Sequence, residues 1–155
     1  TEVGPLINNN EVDRVEEWVN ESISQGAKIL CGGRRENNYY PPTVITNTNL
    51  NMKVCSNEIF GPVVILEKYN SFSQAIKLVN NTRFGLQAGV FTNNITEMNL
   101  AFEQLDVGGV IINDTPTFRV DHMPYGGVKD SGIGREGVKY AMRDMMKEKI
   151  LIKEK

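Results

Sequence analysis

Apolar positions along the chain follow two rhythms, and their alternation sets out the fold. Val12, Val15, Val19 and Ile23 recur at every third or fourth position, which places them near one face of a helix that Asn10 is suited to cap and Gly26 to stop. A short strand is expected over Lys28 to Cys31, ending at Gly32-Gly33. Tyr39 to Pro42 reads as a turn or extended segment because its two prolines cannot continue a helix. Thr43 to Thr46 is β-rich and reads as a second strand. Val63 to Leu66 predicts a buried strand, and Phe72, Ala75, Ile76 and Val79 a helical stripe. Gly89 to Phe91 reads as a strand, Met98, Ala101, Phe102 and Leu105 as another helical stripe, and Val110 to Ile112 as a strand again. Gly134 or Arg135 opens the last helix, and Ile150 and Ile152 with their lysine neighbours predict a half-buried strand over Lys149 to Lys153.

Strand, helix, strand, helix, strand in the middle of the chain predicts an α/β fold with parallel pairing and right-handed crossovers. Ligands in open sheets of this kind lie beyond the carboxyl ends of the strands. The segment Asn113 to Asp130 leaves from such an end and is long enough for a functional loop.

Composition narrows the class of partner. With 40% hydrophobic and 23% charged residues, the 155-residue chain has the make-up of a water-soluble globular domain. A net charge of -2 gives no reason to expect nucleic acid or an anionic membrane as partner. No apolar stretch reaches the roughly 20 residues needed to span a bilayer, and the N-terminus lacks the pattern of a signal peptide. Two cysteines, Cys31 and Cys55, suit free thiols in a reducing cytoplasm better than a disulfide framework.

Candidate chemistry is concentrated in two segments. In Asn57-Glu58-Ile59-Phe60-Gly61-Pro62 an acid, an aromatic and a Gly-Pro pair stand directly before an apolar run. A carboxylate is able to accept hydrogen bonds from a sugar diol, and an aromatic two residues along is able to pack a flat ring. Residue types alone leave a plainer alternative, with Glu58 capping a turn and Phe60 in the core. The second segment, Pro124-Tyr125-Gly126-Gly127-Val128-Lys129-Asp130-Ser131-Gly132-Ile133-Gly134-Arg135-Glu136, is glycine-rich. It lacks the strand-to-helix context of a dinucleotide fingerprint, since a long loop precedes it and Lys129 and Asp130 interrupt it.

The first of these segments closely resembles the EIFGP stretch of the aldehyde dehydrogenase superfamily, and the second resembles that family's other signature, in the same order and at about the same spacing. The resemblance runs the length of the chain. It implies an open, mostly parallel three-layer sheet, the aldehyde dehydrogenase catalytic domain, over residues 1–146, and an oligomerisation strand over 147–155 that crosses to a neighbouring subunit. It implies that Glu58 binds the hydroxyls of the nicotinamide ribose and that Phe60 presses on the nicotinamide ring of NAD or NADP. Phe118, Arg119 and Tyr125 would then shape the aldehyde pocket. The loop Thr117 to Tyr125 looks like that of the branch oxidising small polar or anionic aldehydes, the lactaldehyde, semialdehyde and non-phosphorylating glyceraldehyde-3-phosphate dehydrogenases among them. A guanidinium there suits a carboxylate or phosphonate; a salt bridge of Arg119 with Asp121, or a subunit contact, is the alternative. His122, the only histidine, suits a solvent-facing or loop-ordering role and excludes a histidine-rich metal site.

No residue matches the family's nucleophile or general base. Neither Cys31 nor Cys55 stands in a Gly-Gln-x-Cys setting; Cys31 is expected as a small buried hydrophobe at a strand end, and Cys55 lacks an adjacent base. The resemblance therefore implies a fragment, the last third of a homo-oligomeric enzyme, inactive by itself and exposing apolar surface. Two other readings stand beside it: a small non-catalytic binding or assembly protein on the same scaffold, and a phosphate-binding module using the glycine cluster.

Overall fold

The computed structural model describes residues 3–154, in two compact units that divide between Tyr69 and Asn70. The first unit carries α1 (Asn9–Ser24), β1 (Lys28–Cys31), β2 (Thr43–Thr46), α2 (Lys53–Ser56) and β3 (Val63–Ile65). Its helix begins earlier than expected. Asn8, not Asn10, is the N-cap, and its side chain accepts a hydrogen bond from the Glu11 N–H at 3.0 Å. Gly26 follows the helix with φ +106°, the left-handed conformation that glycine adopts without steric cost. Val12, Val15 and Val19 are fully buried and form one core with Ala27, Tyr40, Ile45, Met52 and Val54, whereas Ile23 is exposed in the last turn.

This core rests on a three-stranded sheet in the order β1-β2-β3. β1 and β2 run antiparallel with a register shift between Ile29 and Cys31; β2 and β3 run parallel, Thr43 opposite Val63 and Ile45 opposite Ile65. β3 is covered on one face only. Val63 and Ile65 pack against the core while Val64 and Leu66 are exposed, so the fully buried strand expected here is a half-buried one.

The second unit carries α3 (Phe72–Asn80), β4 (Phe84–Gly85), β5 (Gln87–Val90), α4 (Ile95–Gln104), β6 (Gly109–Ile112), β7 (Val128–Lys129) and α5 (Val138–Asp144). Side chains of Ser71 and Asn94 cap α3 and α4 by accepting from Gln74 and Thr96 N–H groups. β5 and β6 pair in parallel around α4, as the strand-helix-strand pattern requires, with Gln87 opposite Gly109 and Val90 opposite Ile112. β3 does not join them, because its partner is β2. β4 and β7 form a separate antiparallel pair, Gly85 opposite Val128.

The structure departs from the sequence pattern at three further points. Of the two helical stripes only Ile76 and Ala101 are buried; Phe102 is 79% exposed, since a two-stranded ladder is too narrow to cover a whole stripe. The last helix opens at Val138 because Glu136, two residues before it, is drawn into a bridge with Tyr125. No strand forms over 149–153: Ile150, Leu151 and Ile152 are exposed, and a strand needs backbone partners that the described residues do not supply. The α/β class stands, with its strands distributed over three short ladders. No helix among the described residues is long and apolar enough to cross a membrane.

Candidate functional site

In the first unit the chain leaves α2 at Asn57 and turns into β3 through Glu58-Ile59-Phe60-Gly61-Pro62. Ile59 is the anchor. Its side chain packs against the core, and its carbonyl accepts a 2.7 Å hydrogen bond from Arg14 Nη2. Arg14 is itself held by Glu11 at 2.7 Å and by the ring of Trp18, 4.7 Å from the guanidinium. Gly61 lies so close to α1 that an added Cβ would stand 2.8 Å from Val15 Cγ2.

Glu58 and Phe60 flank this anchor and are both exposed. The Glu58 carboxylate makes no hydrogen bond or ion pair among the described residues, so the turn-capping alternative is not what it does. Phe60 is 74% exposed, so it is not a core residue, and its φ is +46°. A left-handed backbone costs a bulky residue about 1–2 kcal/mol. An exposed ring recovers none of that through burial.

In the second unit, Phe118, Arg119 and Tyr125 lie on the segment between β6 and β7. Gln87 of β5 fastens the start of this segment, Nε2 donating to the carbonyls of Pro116 at 2.8 Å and Phe118 at 3.2 Å. Phe118 is partly exposed. The Arg119 guanidinium stacks on the ring of Tyr125, 4.3 Å from its centroid, and Nη2 lies 2.9 Å from Glu136 Oε2. Tyr125 and Glu136 exchange backbone hydrogen bonds of 3.2 and 2.6 Å, so ring and carboxylate hold the guanidinium from one rigid bridge. The ion pair runs to Glu136 and not to Asp121. Both Gln87 and Glu136 escaped sequence reasoning. Glu136 is the last residue of the glycine-rich motif, and only the Tyr125 bridge reveals its partner.

Gly126 and Gly127 of that motif serve close packing. A Cβ on Gly127 would overlap Ser131, one on Gly126 would stand 2.8 Å from the Gly134 carbonyl, and one on Gly108 would collide with the Gly126 carbonyl. Ser131 Oγ accepts from Gly85 N–H at 2.9 Å, and Arg135 Nη1 donates to the carbonyls of Gly127 and Gly134 at 3.0 and 2.7 Å. A cavity of about 320 Å³ lies against this segment, lined by Leu86, Tyr125, Ser131, Arg135 and Glu136 among others. His122 is exposed.

Neither thiol is set up for nucleophilic attack. Cys31, expected to be buried, is exposed on the outermost strand of its sheet. Cys55 is half-buried, and burial pushes its thiol up from the ordinary value; nearby Glu67 pushes the same way, and Thr48 opposes them.

These features converge with comparisons to known proteins. The profile of the aldehyde dehydrogenase family matches residues 1–151, and the chain belongs to that family. It is 49% identical over 152 residues to the 3-sulfolactaldehyde dehydrogenase of Priestia megaterium, a match covering 98% of this chain and 32% of that protein. It is 43% identical, over the same share of this chain and 33% of the relative, to the sulfoacetaldehyde dehydrogenase of Neptuniibacter caesariensis. Among solved structures, aldehyde dehydrogenase 21 from Physcomitrella patens, in complex with the reaction product succinate, superposes with a TM-score of 0.90 at 50% identity, covering 94% of this chain and 30% of that one. A glyceraldehyde-3-phosphate dehydrogenase from Methanocaldococcus jannaschii complexed with NADP gives 0.87 at 43% identity, covering 94% and 31%. The chain thus spans about a third of the length of the relatives it matches.

Proposed function

We propose that this chain serves as the C-terminal third of an NAD(P)-dependent aldehyde dehydrogenase that oxidises a small anionic aldehyde to its carboxylic acid, with the cysteine nucleophile and general base supplied by polypeptide outside these 155 residues. The observation that carries the reading is Phe60, an exposed aromatic ring on a strained backbone beside an unpaired Glu58. Strain kept without a packing return is characteristic of functional positions. Glu58 accepts hydrogen bonds from the ribose hydroxyls, and Phe60 presents a flat face to the nicotinamide. When bound, NAD or NADP supplies the hydride acceptor. The M. jannaschii structure supports a nicotinamide cofactor without deciding between the two forms.

On the substrate side, Arg119 offers N–H groups to a carboxylate, sulfonate or phosphate, with Tyr125 beneath it and Phe118 lining the approach. Relatives named for sulfolactaldehyde and sulfoacetaldehyde, and a succinate complex, support an anionic group on the aldehyde. The complete enzyme is a cytoplasmic homo-oligomer in this reading. Residues 147–155 add a strand to a neighbouring subunit, which would give Ile150 to Ile152 the backbone partners they lack in the single chain.

In the enzyme that contains this chain, Glu58→Gln and Phe60→Ala raise the KM for NAD(P)+ about tenfold or more. Arg119→Ala raises the KM for an anionic aldehyde while leaving a neutral one within about twofold. The isolated chain forms no NAD(P)H from aldehydes. Unchanged KM values in these variants, or NAD(P)H formation by the purified chain, would overturn the assignment.

A further inference from the structure

We infer that Glu136 sets the charge selectivity of the anion site at Arg119, holding one edge of the guanidinium while opposing a second negative charge on the incoming headgroup. The inference rests on the assignment of Arg119 to the aldehyde's anionic group. Three surroundings of that guanidinium are defined. Its face lies on the Tyr125 ring at 4.3 Å, and Nη2 donates to Glu136 Oε2 at 2.9 Å. Nε and Nη1 make no hydrogen bond or ion pair among the described residues, which leaves the three N–H groups on these two nitrogens for an oxyanion. The Glu136 backbone is placed by hydrogen bonds to Tyr125 that do not involve Arg119.

Electrostatics turn this geometry into discrimination. Arg119 and Glu136 together are close to neutral. The adjacent Arg135 forms no ion pair with Glu136; its Nη1 donates to the Gly127 and Gly134 carbonyls. A monoanionic headgroup meets Arg119 with one repulsive charge nearby. A dianionic headgroup meets the same repulsion twice. At about 6 Å in a water-like dielectric, each unit of repulsion weakens binding about threefold. Glu136 therefore favours carboxylate and sulfonate over a dianionic phosphate.

Binding of methanesulfonate and methyl phosphate to the full chain tests this, followed by heteronuclear NMR at the Arg119 Nε–Hε and Tyr125 amide signals at about pH 8, where a phosphate monoester is dianionic. Glu136→Gln keeps an oxygen acceptor and the backbone bridge while removing the charge. It is expected to tighten methanesulfonate about threefold and methyl phosphate about tenfold. Glu136→Asp, which keeps the charge, leaves the ratio of the two affinities within about twofold of the native chain. Equal changes for both anions in Glu136→Gln, or weaker binding of both, would overturn the role of Glu136 while leaving Arg119 as the anion site. Binding that survives Arg119→Ala would instead remove the site on which the proposal stands.

Discussion

Arg119 lies over Tyr125, its guanidinium carbon 4.3 Å from the ring centroid, six residues apart on a segment without regular structure. The contact joins two residues that the sequence marks separately, one as a candidate hydrogen-bond donor to an anion and one as the aromatic before a glycine pair. It also makes the guanidinium plane part of the site's geometry. A planar cation held over a ring and by one carboxylate keeps its other N–H groups available to a ligand.

Arg119→Lys should therefore not be conservative. An ammonium keeps the charge and loses the paired N–H edge. In the complete enzyme the KM for an anionic aldehyde should rise about tenfold with kcat for a neutral aldehyde unchanged, as steady-state kinetics on a matched substrate pair would show.

Phe60→Gly should separate stability from binding. Glycine adopts φ +46° freely, and the 74% exposed ring gives up little burial. The variant is expected to unfold at an equal or higher denaturant concentration, gaining up to about 1 kcal/mol, while cofactor affinity falls. A loss above about 1 kcal/mol would show that the ring packs in the native chain.

Tyr40 carries its own stability test. It is fully buried, its hydroxyl has no hydrogen-bond partner, and the Thr43 hydroxyl beside it already donates to the Pro41 carbonyl and accepts from Gly33 N–H. Burial, and then the charge of Glu16, raise its phenol above the ordinary 10.0. The unfolded chain thus ionises first, so stability present below pH 10.0 declines as pH rises through the folded value. Tyr40→Phe should be neutral or stabilising by about 1 kcal/mol near neutral pH. It should also remove this residue's part of the alkaline loss, read from denaturation midpoints across the range.

The two cysteines should label at different rates. Cys31 is exposed, whereas burial shelters Cys55 and raises its thiol. A thiol-exchange reagent at mildly alkaline pH is expected to modify Cys31 about tenfold faster or more, since the thiolate is the attacking species. Cysteine-to-serine variants assign the phases, and faster labelling of Cys55 would contradict the structure.

Periodicity located α1, α3 and α4, although only α1 turns most of its apolar stripe to a buried core. Val12, Val15 and Val19 define α1 because the core of their unit covers all three. The downstream stripes predicted helices correctly and burial poorly, since Val79 and Phe102 have no layer above them. Caps shifted by a turn or less, as at Asn8, because several asparagines in a row compete for one position. The two-residue ladder of β4 and β7 was invisible to pattern, its strands lying more than forty residues apart.

From its sequence alone this chain declares its α/β class and its family, and it singles out candidate site residues, since spacing along the chain and short motifs are local properties. Tertiary structure decided which charged groups meet. Arg119 pairs with Glu136 instead of nearby Asp121 because backbone hydrogen bonds between Tyr125 and Glu136 bring that carboxylate to the guanidinium. It likewise showed Phe60 to be exposed and strained, since the burial of Ile59 and the close approach of Gly61 to Val15 fix the turn on which the ring stands.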